Sequence, residues 1–306
     1  MRKRAAYSFT MLLLALAFAG CNFSSRPGPV DLGGGEKIDL SQYTYDGVAQ
    51  AVNARAERLQ RFWAATITTV WYIGEQGEDE VDQLDGDLHI VQPSSIAMTL
   101  EKLGVVGATL GANERFYWYL DLQADDPIAS IGTHERANPD QLAELGVPVH
   151  PLDLLLLLGF SGIPEEPLDP ERPLQRSANG AHLVVAAPAR WGIVEYTLDP
   201  DTLEPVRVEI RRAPRQPAML TADMQGTVPF DDRLQRGLAE VRVPERVLID
   251  VPQLDARVRI RFLVPQSSRR KPDERAFDLG DTLSRYDVRL RRDLDVYHER
   301  TRTQDP

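Results

Sequence analysis

The chain contains one cysteine, Cys21, among its 306 residues, so it cannot form an internal disulfide or a cysteine-rich metal site. Its five histidines are scattered, and none stands at metal-ligand spacing from another histidine or from Cys21. After residue 20 no apolar run approaches the ~20 residues that a membrane-spanning helix needs. The formal net charge of -11 makes the chain a poor binder of polyanions. We therefore expect no metal, no cofactor and no nucleic-acid partner.

A convincing catalytic motif is also missing. Gly159-Phe-Ser-Gly162 begins like the nucleophile elbow of hydrolases, but Ile163 stands where the final glycine belongs, and a leucine run precedes it rather than a strand. A turn explains these residues better. A pair of carboxylates for glycoside cleavage stays open, because such pairs are distant in sequence, but no pattern favours one. We predict that the protein is not an enzyme and has no catalytic residues.

The first 21 residues have the parts of an export signal. The basic residues Arg2-Lys3-Arg4 precede the apolar run Met11–Ala19, which is too short for a comfortable membrane span. Small residues then lead to the cysteine, in the order Ala19-Gly20-Cys21. The arrangement resembles the signal of bacterial lipoproteins, although Phe18 stands where an aliphatic residue is usual. The alternative is an ordinary cleaved signal in which Cys21 is incidental.

The resemblance implies that residues 1–20 are removed and that Cys21 becomes an acylated N-terminus. Several acyl chains make a stable anchor, at about 0.8 kcal/mol for each buried methylene. Asn22, rather than Asp, follows the cysteine, which by resemblance to sorting rules in double-membrane bacteria favours the outer membrane. We expect a lipid-anchored protein of the cell envelope, at the outer membrane and facing the periplasm. Residues 21–43, rich in Ser, Pro and Gly, are predicted to be a flexible tether.

A helix and short strands are predicted in the first half of the domain. Apolar residues at helical spacing predict a helix from Asp46 to about Trp63, and alternation predicts a strand from Ala65 to Gly74. The stretch Leu84–Leu122 is interpreted as an antiparallel meander with one apolar face. Its turns and breaks are predicted at Asp85-Gly86-Asp87, Gly104, Gly107 and Gly111-Ala112-Asn113.

The last strand of this meander is aromatic. By the two-residue period, one of its faces carries Phe116, Trp118 and Leu120, and the other carries Tyr117, Tyr119 and Asp121. A weaker strand is predicted at Ile128–Glu135 and a short helix at Asn138–Glu144.

The second half begins with the leucine run Leu152–Leu158, which is apolar on all sides and ends at Gly159. We interpret it as a short buried helix that covers the sheet. Alternating residues then predict six strands, at Leu183–Ala187, Gly192–Leu198, Pro205–Arg211, Met219–Met224, Arg246–Val251 and Ala256–Val264. The charged C-terminal stretch is left with two alternatives, a one-sided helix through Leu283, Tyr286, Leu290, Leu294 and Tyr297, or a mobile tail.

This layout resembles the LolA/LolB-like superfamily of lipoproteins and lipoprotein carriers. The resemblance rests on five stretches, namely Asn53-Ala-Arg-Ala-Glu57 with Leu59 and Trp63, Asp85-Gly-Asp-Leu-His-Ile90, Leu103-Gly104, Leu110-Gly-Ala-Asn113, and Leu198-Asp-Pro-Asp-Thr-Leu-Glu-Pro205. It implies an α+β fold that is mainly antiparallel β, an incomplete, half-open β-barrel with helices covering its concave side. The predicted domain covers residues 44–280, and residues 281–306 form a charged C-terminal extension. Neither the membrane-inserting loop of the LolB type nor the lid arginine of the LolA type is identifiable in the sequence.

The resemblance also implies a function, namely binding of lipid or lipoprotein acyl chains in the half-barrel and transfer towards the outer membrane. The alternative is a structural or interaction lipoprotein whose hollow is filled by its own side chains, and a lipid-modifying hydrolase is a third class. Candidate ligand-lining residues are Trp71, Met98, Leu100, Phe116, Trp118, Leu154 and Leu157. For each of them the alternative is ordinary core packing. The membrane, through lipidated Cys21, and an acyl-chain or lipoprotein cargo are the expected partners.

Overall fold

The computed structural model describes residues 26–28, 30–33, 35–74, 77–139, 142, 149–234 and 240–295. Within these residues the structure defines the α-helices α1 (Tyr45–Arg58), α2 (Asp153–Leu157) and α3 (Leu279–Arg285). Short 3-10 turns lie at Leu40–Gln42, Pro252–Leu254 and Glu274–Phe277. Cys21 and the predicted signal lie outside the described residues, and so does most of the helix predicted at Asn138–Glu144.

The rest of the described chain is mostly strand. In chain order the strands are β1 (Arg61–Ile73), β2 (Asp79–Val91), β3 (Ser95–Lys102), β4 (Val105–Ala112), β5 (Phe116–Asp121), β6 (Ile128–Thr133), β7 (Gln175–Arg176), β8 (Leu183–Ala189), β9 (Gly192–Leu198), β10 (Pro205–Arg211), β11 (Leu220–Pro229), β12 (Asp231–Asp232), β13 (Arg242–Val251), β14 (Ala256–Ser267) and β15 (Leu290–Asp293).

All fifteen strands belong to one sheet, in the order β15-β6-β5-β4-β3-β2-β1-β14-β13-β11-β10-β9-β8-β7, with β12 beside β14. Neighbours are antiparallel except for the pairs β15–β6 and β12–β14. The two halves of the sheet meet where β1 pairs with β14, from Trp63 opposite Gln266 to Trp71 opposite Arg257. The sheet does not close on itself, which confirms the predicted half-open, mainly antiparallel α+β fold.

The sheet separates two hydrophobic clusters. The larger one lies on the face covered by α1 and α2, which we call the concave face, and it includes Phe62, Leu88 and Ile260. The smaller one lies on the opposite, convex face, where Trp118 and Leu120 of β5 pack beneath Leu283 of α3. The domain core is therefore on the concave side, and the C-terminal extension covers part of the convex side.

Several predicted boundaries in the first half were wrong. Helix α1 begins at Tyr45, after the N-cap Thr44, and ends at Arg58, so Phe62 and Trp63 belong to β1. Strand β2 continues through the turn predicted at Asp85-Gly86-Asp87. There Gly86 is needed because a Cβ would overlap the carbonyl oxygen of Thr99 on β3.

Two further glycine-based predictions had different outcomes. Gly104 does form a turn, as predicted, between β3 and β4. Gly107 and Gly111, predicted as breaks, lie inside β4. The glycine at 111 allows the ring of Trp118 to lie against the neighbouring backbone, since a Cβ would overlap that ring. A glycine in a strand therefore marks close packing as often as a turn.

The second-half predictions were more accurate, because alternation there is regular. The six predicted strands are confirmed as β8, β9, β10, β11, β13 and β14, with later ends for β8, β11 and β14 and an earlier start for β13. The predicted alternative of a single, one-sided C-terminal helix was wrong. Residues 279–293 form α3 followed by β15, and Leu294 is buried in the larger cluster.

The described part of the predicted tether lies against the sheet. Ile38 donates its backbone N–H to the carbonyl of Gly180, 3.0 Å away, and its own carbonyl accepts from Nε of Arg176 at 2.9 Å. Further towards the N-terminus, Arg26 forms an ion pair with Asp255 at 2.7 Å. The described residues between 26 and 38 are thus bound to the domain at several points.

Candidate functional site

The concave face of the sheet is covered by α1 and by residues 150–163, which we call the plug segment. The apolar side chains of α1, such as Val48 and Val52, point into the larger cluster. From the plug segment, Leu154, Leu157 and Phe160 are at most 5% exposed. The ring of Phe160 lies 4.7 Å from that of Phe62 on β1, centroid to centroid. The concave face is therefore apolar, and the protein's own side chains fill it.

Polar contacts attach the plug segment to the rest of the domain. The Asn53 side chain of α1 pairs with the backbone of Ile163, donating from Nδ2 to the carbonyl at 2.9 Å and accepting the N–H at 2.8 Å. Arg55 donates to the carbonyl of Gly159 at 2.6 Å. Gln92 donates from Nε2 to the carbonyl of Phe160 at 3.0 Å. These side chains satisfy backbone groups of the non-helical residues 159–163 that follow α2.

A buried polar cluster lies at the start of the plug segment. The indole N–H of Trp191 donates to Asp153 at 2.5 Å. The backbone N–H of Leu152 donates to Nδ1 of His150 at 3.2 Å, so we assign the ring proton of His150 to Nε2. That nitrogen faces Nδ1 of His134 at 3.3 Å, and Nε2 of His134 lies 2.6 Å from the carbonyl oxygen of Asn113. Both imidazoles thus have partners on both nitrogens only while they are neutral.

Burial shifts the pKa values in this cluster. Desolvation, together with the nearby Arg190 and His134, lowers the pKa of His150 to about 2. Desolvation likewise lowers the pKa of His134. The pKa of Asp153 is raised to about 6, because burial outweighs the hydrogen bond from Trp191. A cavity of about 20 Å³ between His150, Asp153 and Trp191 has room for about one water molecule.

The predicted ligand-lining residues divide between the two faces. Met98, Leu100, Leu154 and Leu157 lie in or against the larger, concave cluster. Phe116 and Trp118 belong to the smaller cluster on the convex face, and Phe116 borders an open groove of about 510 Å³ beside α3. Trp71 is buried on the convex side of β1, where the guanidinium of Arg259 lies 4.8 Å from its ring. The alternation in β5 was predicted, but the sequence did not show which face is concave.

The tip of the β3–β4 hairpin is a feature that the sequence analysis missed. Leu103 and Gly104 both have positive φ, 54° and 79°, in a two-residue turn whose positions favour Asn, Asp or Gly. Leu103 is nevertheless 90% exposed, and Val105 is 69% exposed. Leu103 gains neither burial nor favourable backbone geometry at this position. A residue that breaks local rules in this way is typical of a functional or strained site. A leucine beside a glycine cannot be told from a strand end by sequence alone.

Metal-binding and membrane-spanning features were also sought. Among the described residues, no three His, Cys, Asp or Glu side chains come together as they would around a metal ion. Within the same residues, no helix has the length and apolar character required to cross a membrane.

Comparison with known proteins gives matches in fold. No family model and no curated protein matches the chain. A DUF1329-family protein from Desulfovibrio piger matches at a TM-score of 0.50 with 8% identity, over 77% of this chain and 98% of that one. A LolA-superfamily protein from Nitrosomonas europaea matches at 0.47 with 11% identity, over 77% and 98%. An outer membrane lipoprotein-sorting protein domain from Vibrio parahaemolyticus matches at 0.48 with 9% identity, over 76% and 95%.

These matches concern the fold alone. Of these three, the Desulfovibrio protein has a TM-score of 0.50, and at 8% identity the match shows a shared fold alone. The half-open architecture is seen in the sheet itself, which is antiparallel over most of its width and carries α1 and α2 on its concave face.

Proposed function

We propose that the protein is a membrane-anchored lipoprotein that binds one apolar chain, from a lipid or from an acylated protein, on the concave face of its half-barrel. The observation that carries the proposal is the plug segment. Leu154, Leu157, Leu158 and Phe160 reach the sheet from one short stretch rather than from a strand of the sheet. Together they carry about as many side-chain carbons as one long acyl chain. If these residues were displaced together, they would expose an apolar surface on the sheet about large enough for one acyl chain.

The energetics of such an exchange suit a carrier. Burying about fifteen methylenes yields roughly 0.8 kcal/mol for each. Most of this is offset because the chain leaves a lipid environment that is equally apolar, and because the plug segment loses its own packing. The net free energy of transfer is then close to zero, so loading and unloading are both accessible. The anchor at Cys21, the outer-membrane location and the periplasmic orientation belong to the same proposal.

A second function is favoured by a specific observation. Leu157, Leu158 and Phe160 are fully buried. The side chains of Asn53, Arg55 and Gln92 attach the backbone of the plug segment, between residues 159 and 163, to the domain. A filled concave face of this kind suits a structural or interaction lipoprotein that binds no lipid. Neither proposal assigns a catalytic step.

Binding of a fluorescent fatty acid to detergent-free protein, with native mass spectrometry for lipid carried through purification, separates these functions. We expect the wild type to bind, and Leu157→Ala to bind more tightly, because the substitution removes plug packing and costs about 2–5 kcal/mol of stability. Leu248→Ala is the matched control, since Leu248 is equally buried but outside the concave cluster. Should Leu157→Ala be unfolded by circular dichroism, Leu157→Val replaces it.

The outcomes point in opposite directions. Bound lipid in the wild type, or uptake that rises in the Leu157 variant and not in the Leu248 variant, supports lipid binding. Protein that is free of lipid and takes up no fatty acid, in all variants, supports the structural function.

A further inference from the structure

The convex face of β13 and β14 carries several arginines close together. Alternate residues of these strands, such as Ile260, pack into the concave cluster, so the residues between them face the convex side. On β14 these are Arg257, Arg259 and Arg261, and β13 adds Arg246. Arg246 lies directly opposite Arg261, and Arg259 is the next convex residue along β14. Like charges directly opposite each other destabilise a sheet, so this arrangement needs an explanation.

The remaining convex-face arginines of β10 and β14 are each paired with a carboxylate on a neighbouring strand. The pairs are Arg207–Asp223 at 2.6 Å, Arg211–Glu195 at 2.7 Å and Arg257–Asp250 at 2.7 Å. Pairing within the sheet neutralises the charge of these arginines and accounts for their presence on this face.

Arg246 and Arg259 lack such partners. Within the described part of the chain, neither forms an ion pair with a carboxylate. The Nε of Arg246 is buried and has no hydrogen-bond partner there, although buried donors are normally satisfied. The guanidinium of Arg259 lies 4.8 Å from the ring of Trp71, which holds it in place by a cation–π contact. Desolvation and the charge of Arg246 both lower the pKa of Arg259, so the two side chains repel each other.

Arg261 brings a third positive charge to the same place. Its Nη2 lies 3.2 Å from Glu245, and its side chain is 51% exposed. A guanidinium group has several N–H donors, so this one ion pair leaves others for a ligand. Three arginines thus face one carboxylate, that of Glu245, which leaves an excess of two positive charges.

The neighbouring strands do not offset this excess. On the β11 side Arg246 lies opposite Gln225, which is uncharged. On the β1 side Arg261 lies opposite Ile67, and Asp85 follows only on the next strand. Two strand spacings, about 10 Å, therefore separate Arg261 from that carboxylate.

From this arrangement we infer that Arg246, Arg259 and Arg261 form a binding site for a phosphate group on the convex face. Guanidinium groups bind phosphate oxygens through charge-assisted, often bidentate hydrogen bonds. A phosphate monoester can carry two negative charges and so matches the excess, whereas a carboxylate carries only one. The net charge of -11 disfavours extended polyanions, but a small ligand responds to the local positive charge. The site lies on the opposite face from the plug segment and does not depend on the proposed acyl-chain binding.

The phosphate could belong to a soluble ester or to a lipid headgroup, and the test distinguishes them. Full-length protein in non-ionic detergent and phosphate-free buffer is titrated with inorganic phosphate, at constant ionic strength, by isothermal titration calorimetry. A parallel titration uses mixed micelles that contain phosphatidic acid, with phosphatidylcholine micelles as the blank. Binding of inorganic phosphate indicates a soluble ligand, and binding of phosphatidic acid alone indicates a headgroup. Either result supports the site if the substitutions below weaken it.

Arg246→Gln and Arg259→Gln should each weaken binding about tenfold or more, because each removes a charge-assisted contact. The matched control is the double variant Arg257→Gln/Asp250→Asn, which removes a paired arginine of the same strand without changing the net charge. Its affinity should match that of the wild type. No binding in either titration, or equal weakening in the control, overturns the inference.

Thermal unfolding gives a second, independent readout. In phosphate-free buffer Arg246→Gln should melt at the wild-type temperature or above it, because the substitution removes a contact between like charges. The ligand that binds should raise the melting temperature of the wild type and leave that of Arg246→Gln nearly unchanged. A lower melting temperature of Arg246→Gln without ligand would contradict the inference, since Arg246 would then stabilise the sheet by itself.

Discussion

His150 shows how a single side chain links the plug segment to the sheet. One ring nitrogen accepts from the backbone of Leu152, and the other faces His134, which in turn contacts the backbone of Asn113 beside β5. Both nitrogens are satisfied in the neutral form. A second proton on either ring would place two donors face to face or remove the bond to Leu152. The imidazole pair therefore stays neutral in the folded protein well below the pH at which histidine normally ionises, and the folded state becomes less stable as the unfolded chain takes up protons there.

Stability should consequently depend on pH through His150. Its pKa in the folded protein lies far below its usual value, so its contribution is complete above about pH 6.5 and is lost as pH falls from there. Between pH 7.5 and 5.5 one such histidine costs about 1 kcal/mol. We expect wild-type protein to lose about 1 kcal/mol more than His150→Gln over this interval, measured by urea unfolding.

Asp153 changes the stability in the opposite direction to His150 as the pH is lowered. Burial raises its pKa, so lowering the pH removes a costly charge and stabilises the fold. Since Asp153 is present in both proteins, the difference between them isolates His150. Equal losses in wild type and variant would show that His150 does not carry the effect.

Among the elements, β2 is the one whose sequence is most misleading. Its Asp85-Gly86-Asp87 stretch has the composition of a turn, yet it pairs along its whole length with β1. Gly86 is required by a contact with another strand. The backbone of β3 lies so close that a Cβ at position 86 would overlap the carbonyl of Thr99. Such a contact between strands is not encoded in local propensity.

Gly86→Ala should therefore destabilise the protein by about 2 kcal/mol or more, because the backbone of β2 or β3 must move. Gly107→Ala in β4 is the control, since a Cβ there meets the end of the flexible Gln123 side chain. Its expected cost is under about 1 kcal/mol. Denaturant unfolding of both variants measures the difference, and similar values for the two would count against the close approach at Gly86.

The difference between local sequence signals and contacts between strands also explains which elements were predicted well from the sequence. Strands such as β10, with Val208 and Ile210 alternating with Arg207 and Glu209, carry their own signal and were placed within a residue or two. In β5 the alternation was equally clear, but both faces are aromatic. Only tertiary packing decides that Tyr117 and Tyr119 face the concave side and Trp118 the convex side. Of the candidate ligand-lining residues, Met98, Leu100, Leu154 and Leu157 lie on the concave side, and their role in binding stays a prediction.

At the scale of the whole molecule, the proposal depends on attachment to a membrane. We expect Cys21→Ser to abolish incorporation of radiolabelled palmitate and to shift the protein from the membrane fraction to the soluble fraction. The fold should be unaffected, because residue 21 precedes the first described contact, at Arg26. Palmitate that still enters the Cys21→Ser protein would rule out this anchor.

The pairing of β1 with β14 has a consequence for biosynthesis. Trp63 near the start of the domain lies beside Gln266 near its end, and the remaining strands fill the sheet on either side of this seam. Most of the polypeptide must therefore be synthesised before β1 can pair with β14. Contacts between residues so far apart in sequence also slow folding. In the exported protein that we propose, such a delay would keep the chain unfolded until its translocation across the membrane is complete.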